Sequence, residues 1–390
     1  IVHASFFGAL VDEFFLATLL RTTPTESLEF VPTVPGRAWA TLALWLLACA
    51  WAGRTLWRTL PALRGTSLLL RRVWQGAGLF WALVLVYALI QQLNANTFMR
   101  KAKSLYPLHV VRAAMRQQEI AAGLFLPPLL PSSAPNASSQ IDTIVVVLGE
   151  SATAHRWSLL GYQGAPTNAP LASVPGIAAT TVLAQGWNTA AALPYVLTGM
   201  SALDGTTRQA PSFIDLAQQA GYKTFAFSNS RFFSAQEDFF SYVLRRASTV
   251  YKKVGNGDFD EVLTDSLAAA LADLAPKKLI VLHTYGSHIR PESRYPASAQ
   301  VFADSYDNSI YYSSDLLAQW IGLVERTNPD RSALLLYTSD HGVTMPPCAD
   351  GYRSGTALSS YEVPMLVWAN PATHAQHAPV LPIFAQAPQA

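Results

Sequence analysis

Charge is scarce in this chain of 390 residues. Asp, Glu, Lys and Arg together make up 13% of it, against about a quarter in ordinary soluble domains. The two signs nearly cancel at a formal +2, so no electrostatic footprint for nucleic acid or an acidic partner is present. Cysteine is nearly absent too, with only Cys49, inside an apolar run, and Cys348. A disulfide-built fold is thereby excluded, and no intrachain disulfide is expected. An initiator Met and a cleavable signal pattern are also lacking: the chain opens on Ile1, as expected of a segment whose upstream part is not included. What is abundant is apolar sequence, at 51%. Its excess lies before residue 100 and points to membrane insertion.

Two stretches read as transmembrane helices. Residues 38–53 carry no charge and are bounded by Arg37 and Arg54, whose long stems can snorkel and extend the span toward Trp57. Residues 73–93 are uncharged over a full span and include Trp74, Trp81 and Tyr87. Arg54, Arg58, Arg64, Arg71 and Arg72 lie between them, which favours a cytoplasmic loop, although Arg100, Lys101 and Lys103 place positive charge on the other side as well. Residues 6–20, broken by Asp12 and Glu13, read as an interfacial helix or the outer end of a span. Residues 104–122 read as an amphipathic helix at the membrane surface. The expected organisation is a membrane and interface domain over 1–122, a Pro/Ser/Asn-rich linker over 123–140, and a further folded domain over 141–390.

From Ile141 onward, short β-branched or aromatic runs alternate with helical periodicity. Strands are expected at 143–148, 224–227, 278–283, 333–338 and 364–368, and helices at 212–220, 260–274 and 307–325. Such alternation implies an α/β sandwich with a largely parallel sheet, its ligand site at the carboxyl ends of the strands.

Three polar strings stand at those ends. Glu150 follows Ile144-Val-Val-Val-Leu-Gly149 directly, Asp340 and His341 follow a second strand, and His283-Thr-Tyr-Gly-Ser-His288 follows a third. A strand-end glutamate is commonly just solvated, and an Asp beside a His is often a helix cap. Three acid or imidazole strand ends in one domain favour a site, and mixed carboxylate and imidazole ligands suit zinc or a related divalent ion. Gly342 permits the turn that brings Asp340 and His341 to one metal. Gly149-Glu-Ser151 is not a serine-hydrolase elbow, since Thr153 stands where glycine is required. A nucleophile is less obvious. Thr189 opens an Ala-rich helix where the dipole favours an anion, but on its position alone it reads as an ordinary N-cap.

Taken together, the chain resembles the membrane-bound phosphoethanolamine transferases of Gram-negative bacteria, within the alkaline phosphatase and sulfatase superfamily. The resemblance runs through Gly149-Glu-Ser-Ala-Thr-Ala-His-Arg-Trp-Ser-Leu-Leu-Gly-Tyr162, Asn188-Thr-Ala-Ala-Ala-Leu-Pro194, His283-Thr-Tyr-Gly-Ser-His288, Tyr306-Asp-Asn-Ser-Ile310, Ser339-Asp-His-Gly342 and Tyr361-Glu-Val-Pro364. It implies N-terminal transmembrane helices and a periplasmic α/β/α sandwich of the alkaline phosphatase type, anchored in the bacterial inner membrane. It further implies one zinc ion held by Glu150, Thr189, Asp340 and His341, with Thr189 the nucleophile. His283 and His288 are then candidates for acid–base work, for substrate contact and for a second zinc. Thr22, Glu26 and Asn229 match substrate positions of the family, Glu26 facing the donor's ammonium.

The implied reaction carries phosphoethanolamine from phosphatidylethanolamine to a lipopolysaccharide acceptor, lipid A or a core sugar, through a phosphothreonine-type intermediate in a monomeric enzyme. A phosphoglycerol transferase or lipid phosphodiesterase of the same superfamily, and a non-catalytic membrane-anchored binding protein, are the alternatives. Departures from the family pattern include Thr18 in place of Asn, Val343 in place of Glu, Gln185 and Tyr195 where a cysteine pair is common, and Arg353 as the nearest candidate for a missing distal His.

Overall fold

The computed structural model describes residues 141–201, 210–230, 239–349 and 351–377 continuously, together with 31–34, 36–63 and scattered positions before 141. Two compact units divide the chain, residues 1–16 with 31–118, and residues 17–30 with 119–390.

In the first unit the principal described element is helix α1 (Gly36–Leu63). Its apolar side chains Trp39, Leu44, Trp45, Leu47 and Trp51 are exposed. No helix among the described residues is long and apolar enough to cross a membrane. The expected span over 38–53 is helical, but its charge-free run would rise only about 24 Å at 1.5 Å per residue, short of a roughly 30 Å hydrocarbon core. Beyond it come Arg54 and Arg58 within the same helix. The second expected span, 73–93, lies outside the described residues except for Leu79.

The second unit is built on a seven-stranded sheet. In chain order the strands are β1 (Thr143–Gly149), β2 (Ile177–Leu183), β3 (Lys223–Ser228), β4 (Val250–Lys253), β5 (Lys278–His283), β6 (Ala333–Ser339) and β7 (Glu362–Ala369). Across the sheet the order is β2-β7-β6-β1-β5-β3-β4. From β6 to β4 the pairing is parallel, while β7 runs antiparallel to both β6 and β2. The five strands expected from sequence are all present. The two missed, β2 and β4, are the edge strands; β2 shows alternating exposure and β4 is four residues long, so neither carries the continuous apolar run of a central strand.

Helices α2 (Thr189–Thr198), α3 (Phe213–Gln219), α4 (Phe239–Ala247), α5 (Thr264–Leu271), α6 (Ser305–Thr327) and α7 (Pro371–His377) join the sheet, along with a single helical turn at Ala169–Ala172 and short 3-10 turns. Local chemistry explains their starts. Ser212 and Asp215 form a reciprocal capping box on α3, and Asp304 caps α6 by accepting from the backbone of Tyr306 and Asp307. Val145, Val147, Phe225, Phe227, Ile280, Leu282, Leu335 and Tyr337 point to one side of the sheet and share a core with Leu267 of α5 and Ile310, Leu317 and Ile321 of α6. Their alternates Val146, Leu148, Ala226, Leu279 and Val281 are buried as well, so both faces of the central strands are covered. Burial on both faces leaves the carboxyl edge as the place where polar groups can gather.

Candidate active site

Strand register sets the centre. Gly149 of β1 pairs with Ser339 of β6, so the next residue of each strand, Glu150 and Asp340, emerges at the same level of the sheet edge. The Asp340 N–H still donates to the Gly149 carbonyl at 3.1 Å, carrying the ladder one step past the strands. The chain then turns sharply at Ser151, which holds a left-handed φ of +58°. That conformation is costly for a residue with a Cβ and recurs at functional sites. It lets Ser151 serve both carboxylates: its hydroxyl donates to Glu150 Oε1 at 2.6 Å and its N–H to Asp340 Oδ1 at 3.2 Å. Tyr306 braces the turn, donating to the Ser151 carbonyl at 2.6 Å and accepting from the Thr153 N–H.

Gly342 does matter, for a reason other than the expected turn. A Cβ there would meet the Ser359 carbonyl oxygen at 2.2 Å, so close approach of two backbones demands the glycine. His341 is oriented by the same residue. Its Nδ1 lies 2.6 Å from the Gly342 carbonyl, which fixes Nδ1 as the donor and turns Nε2 inward.

Thr189 completes the set. The cap of α2 is Asn188, whose side chain accepts from the Ala191 N–H at 2.9 Å. Thr189 is therefore the first helical residue and its hydroxyl is not needed for capping. That hydroxyl donates to Glu150 Oε2 at 3.0 Å and stands 3.4 Å from His341 Nε2.

Ligand atoms of Glu150, Asp340 and His341, all buried, lie within 4.8 Å of one another. Asp340 Oδ2 is buried and finds no hydrogen-bond partner among the described residues. An orphaned carboxylate oxygen is costly unless a cation satisfies it. Two carboxylates, one imidazole with its outer nitrogen anchored, and a hydroxyl form a donor set that fits zinc.

Electrostatics agree. Burial pushes Asp340 up to about 7, helped by the negative charge of Glu150. Burial alone would lower His341, but the carboxylates of Asp340 and Glu150 outweigh it and raise the imidazole to about 9. Burial likewise opposes ionisation of Glu150, yet its hydrogen bond from His341 and the charges of His341 and His288 hold it well below the usual carboxylate range. The centre thus favours a positive charge, whether carried as a proton or as a metal ion.

The other expected residues are placed unevenly. His283 ends β5 and is buried, its Nδ1 3.0 Å from the Ser228 hydroxyl, and burial lowers it to about 4. His288 lies five residues on, stacked on Tyr285 with ring centroids 4.8 Å apart. Asn229 follows β3, with its amide engaged on Asp258 and Asp260. Thr22 is half-buried in a segment that groups with this unit, while Glu26 lies outside the described residues. Arg353 is brought back against Thr344 by a two-residue antiparallel bridge, and Val343 is buried. Sequence reasoning missed Ser151, Tyr306 and Asp260. Ser151 and Tyr306 carried only the signal of lying within family-like strings, and Asp260 carried none.

A family model described as Sulfatase matches residues 142–386. The chain belongs to the sulfatase family. Within it, the chain is 35% identical over 245 residues to the putative transferase YhbX of Escherichia coli K12, covering 59% of this chain and 44% of that protein. Phosphoethanolamine transferase EptC of the same organism is 27% identical over 291 residues, covering 65% of this chain and 49% of that protein. The chain thus spans less than half the length of these curated relatives. Among solved structures, the C-terminal periplasmic domain of Escherichia coli EptC in complex with Zn superposes with a TM-score of 0.57 at 26% identity, covering 65% of this chain and 79% of that one. The integral membrane lipooligosaccharide phosphoethanolamine transferase A of Neisseria meningitidis has a TM-score of 0.64 at 21% identity, covering 96% of this chain and 75% of that one, a likeness of fold. These relatives support the α/β domain of the alkaline phosphatase type that the family resemblance implied.

Proposed function

We propose that this chain is a zinc-dependent phosphoethanolamine transferase, moving the head group of phosphatidylethanolamine to lipopolysaccharide at lipid A or a core sugar. The observation that carries the proposal is the Thr189 hydroxyl at the start of α2, hydrogen-bonded to Glu150 beside Asp340 and His341. It is supported by relatives named phosphoethanolamine transferases.

Glu150, Asp340, His341 and Thr189 would hold the ion, which when bound supplies Lewis-acid charge for a phosphoryl oxygen and favours ionised Thr189. The Thr189 oxygen attacks phosphorus, the bond to the diacylglycerol oxygen breaks, and the threonine proton ends on that leaving oxygen. Phosphoethanolamine is then an ester on Thr189. In the second half-reaction an acceptor oxygen attacks the same phosphorus, the Thr189 oxygen leaves, and the acceptor proton returns to it. His283 and His288 are assigned to the proton transfers and to hydrogen-bonding the phosphoryl oxygens, His283 as a neutral imidazole because burial lowers it to about 4. The N-terminus of α2 adds its dipole to the stabilisation of that charge.

Thr22 and Glu26 are assigned to the donor head group, Glu26 by charge complementarity with the ammonium. The apolar side chains exposed on α1 are consistent with seating at a membrane, and we place the catalytic unit on the periplasmic side of the inner membrane. A second zinc, with His283 and His288 as its ligands, is not needed for these steps.

Mass spectrometry of the protein incubated with phosphatidylethanolamine tests the proposal. A phosphoethanolamine adduct on Thr189 is expected. An unmodified Thr189 with another residue labelled, or labelling by phosphatidylglycerol alone, overturns it.

A further inference from the structure

The loop that carries His288 is held from a side that the proposed metal centre does not use. Asp260, buried at the head of the short 3-10 turn Asp260–Leu263, accepts from the Tyr285 N–H through Oδ1 at 2.7 Å. Its Oδ2 accepts from the next N–H, that of Gly286, at 2.8 Å. One carboxylate gripping two successive N–H groups through charge-assisted bonds fixes the peptide between them.

Asn229 keeps that carboxylate in place. Its Nδ2 donates to Asp260 Oδ1 at 2.8 Å and to the Asp258 carbonyl at 2.7 Å, while its Oδ1 accepts from the Asp258 N–H at 3.2 Å. Both ends of the amide are therefore spent on the scaffold. Its backbone N–H donates to the His283 carbonyl at 2.9 Å, tying the ends of β3 and β5 together.

On its other side the same loop leans on Glu150. Gly286 has a left-handed φ of +50°, and the Ser287 N–H donates to the Glu150 carbonyl at 2.9 Å. His288 then stacks on Tyr285, the residue whose N–H Asp260 holds, and Arg294 lies over the Tyr285 ring at 4.5 Å. A displacement of the Tyr285–Gly286 peptide would therefore move His288 relative to Glu150 and Thr189.

We propose that Asp260, steadied by Asn229, is a positioning residue for the transfer reaction: by clipping the Tyr285 and Gly286 N–H groups it holds His288 at the working distance from the Thr189 centre. The proposal rests on the transferase function above and reassigns Asn229 from a substrate contact to the clip.

The test uses the full chain with zinc, comparing Asp260→Asn, His288→Ala, the double variant and Asn229→Ser. Asp260→Asn is expected to lower kcat by about ten- to a hundredfold, as a small misplacement does, with KM for phosphatidylethanolamine and zinc content little changed. On the His288→Ala background the same substitution is expected to cost nothing further, because residues acting as a unit are not additive. Amide hydrogen exchange over residues 284–288 should rise in Asp260→Asn and in Asn229→Ser. Equal losses in both backgrounds would sink the proposal, as would unchanged exchange at 284–288. A rise in donor KM alone for Asn229→Ser would restore Asn229 to the substrate. If the unmodified chain transfers no phosphoethanolamine, the transferase function fails, while the exchange comparison still decides whether Asp260 holds the loop. Should Asp260→Asn not fold, Asn229→Ser carries both measurements.

Discussion

The hydroxyl of Thr189 donates to Oε2 of Glu150 across 3.0 Å, although 39 residues separate the two in the chain. Asn188 already caps the helix, so removing this hydroxyl should leave α2 intact. Thr189→Ala is therefore expected to abolish transfer, by about a thousandfold or more, while its stability in urea changes by no more than about 1 kcal/mol. Thr189→Ser keeps the oxygen and should retain part of the rate. Steady-state transfer assays and urea melts on the two variants decide the matter; an active Thr189→Ala protein would remove Thr189 from the chemistry.

Much of this centre was legible because strand ends announce themselves. Glu150, His283 and the Asp340-His341 pair each follow an apolar run directly, and a parallel sheet brings such ends to one edge. Thr189 was ambiguous, since a threonine before an Ala-rich helix has the chemistry of a cap; only the fold shows that Asn188 takes that task. Ser151 could not be read, because a left-handed backbone in a residue other than glycine leaves no mark in composition. Asp260 was disguised as the first acid of a helix. The α-helix starts only at Thr264, and Asp260 faces a turn 25 residues away in sequence. Edge strands β2 and β4 were missed because half-exposed strands need no apolar run.

Metal removal should show itself in pH dependence. Asp340 rises from 3.8 to about 7 and His341 from 6.5 to about 9. Both folded-state values lie above the unfolded ones, so the metal-free folded chain binds more protons than the unfolded chain. The His341 contribution is fully present below 6.5 and is lost as pH rises through about 9. Ionising Asp340 costs folded-state stability as pH rises from 3.8 through about 7. The depressed Glu150 acts oppositely, but only below its ordinary 4.5. Stability of the chelated protein should thus fall between pH 6.5 and 9. Zinc bound at this centre would displace those protons and so bind more tightly as pH rises. The melting difference between zinc-loaded and chelated protein should widen from pH 6 to pH 8, reaching about 2.7 kcal/mol once zinc is at a hundredfold its Kd. Calorimetry at both pH values checks this, and a difference that narrows is the contrary outcome.

Ser151 should tune the metal without touching it. Its hydroxyl occupies Glu150 Oε1 and leaves Oε2 to Thr189. Ser151→Ala keeps the backbone but frees Glu150 to rotate. Zinc affinity measured against a competing chelator should weaken by about ten- to a hundredfold, as is usual for loss of a group that orients a ligand. Ser151→Thr keeps a hydroxyl and should recover affinity, although a β-branched residue fits the left-handed turn less well. Equal affinities for Ser151→Ala and the unmodified protein would mean that Glu150 needs no such support.

Gly286 offers a test of the loop from the opposite side. A Cβ at this position would lie 2.6 Å from the Glu150 carbonyl oxygen and 2.9 Å from its nitrogen, and φ is +50°. Backbone cannot swing aside as the tip of a side chain can, so Gly286→Ala must move either the loop or Glu150 itself. The expected cost is about 2–5 kcal/mol from strain and crowding together, accompanied by reduced zinc content. Gly161 is the control: its φ of +100° is also left-handed, but nothing lies within 4 Å of the added Cβ. Gly161→Ala should cost only about 1 kcal/mol and keep its zinc. Urea melts and metal analysis of the two variants separate backbone strain from intrusion on the ligand. If Gly286→Ala retained full zinc while losing stability, the close approach of the loop would serve packing alone and Glu150 would be placed by β1 and Ser151 without it.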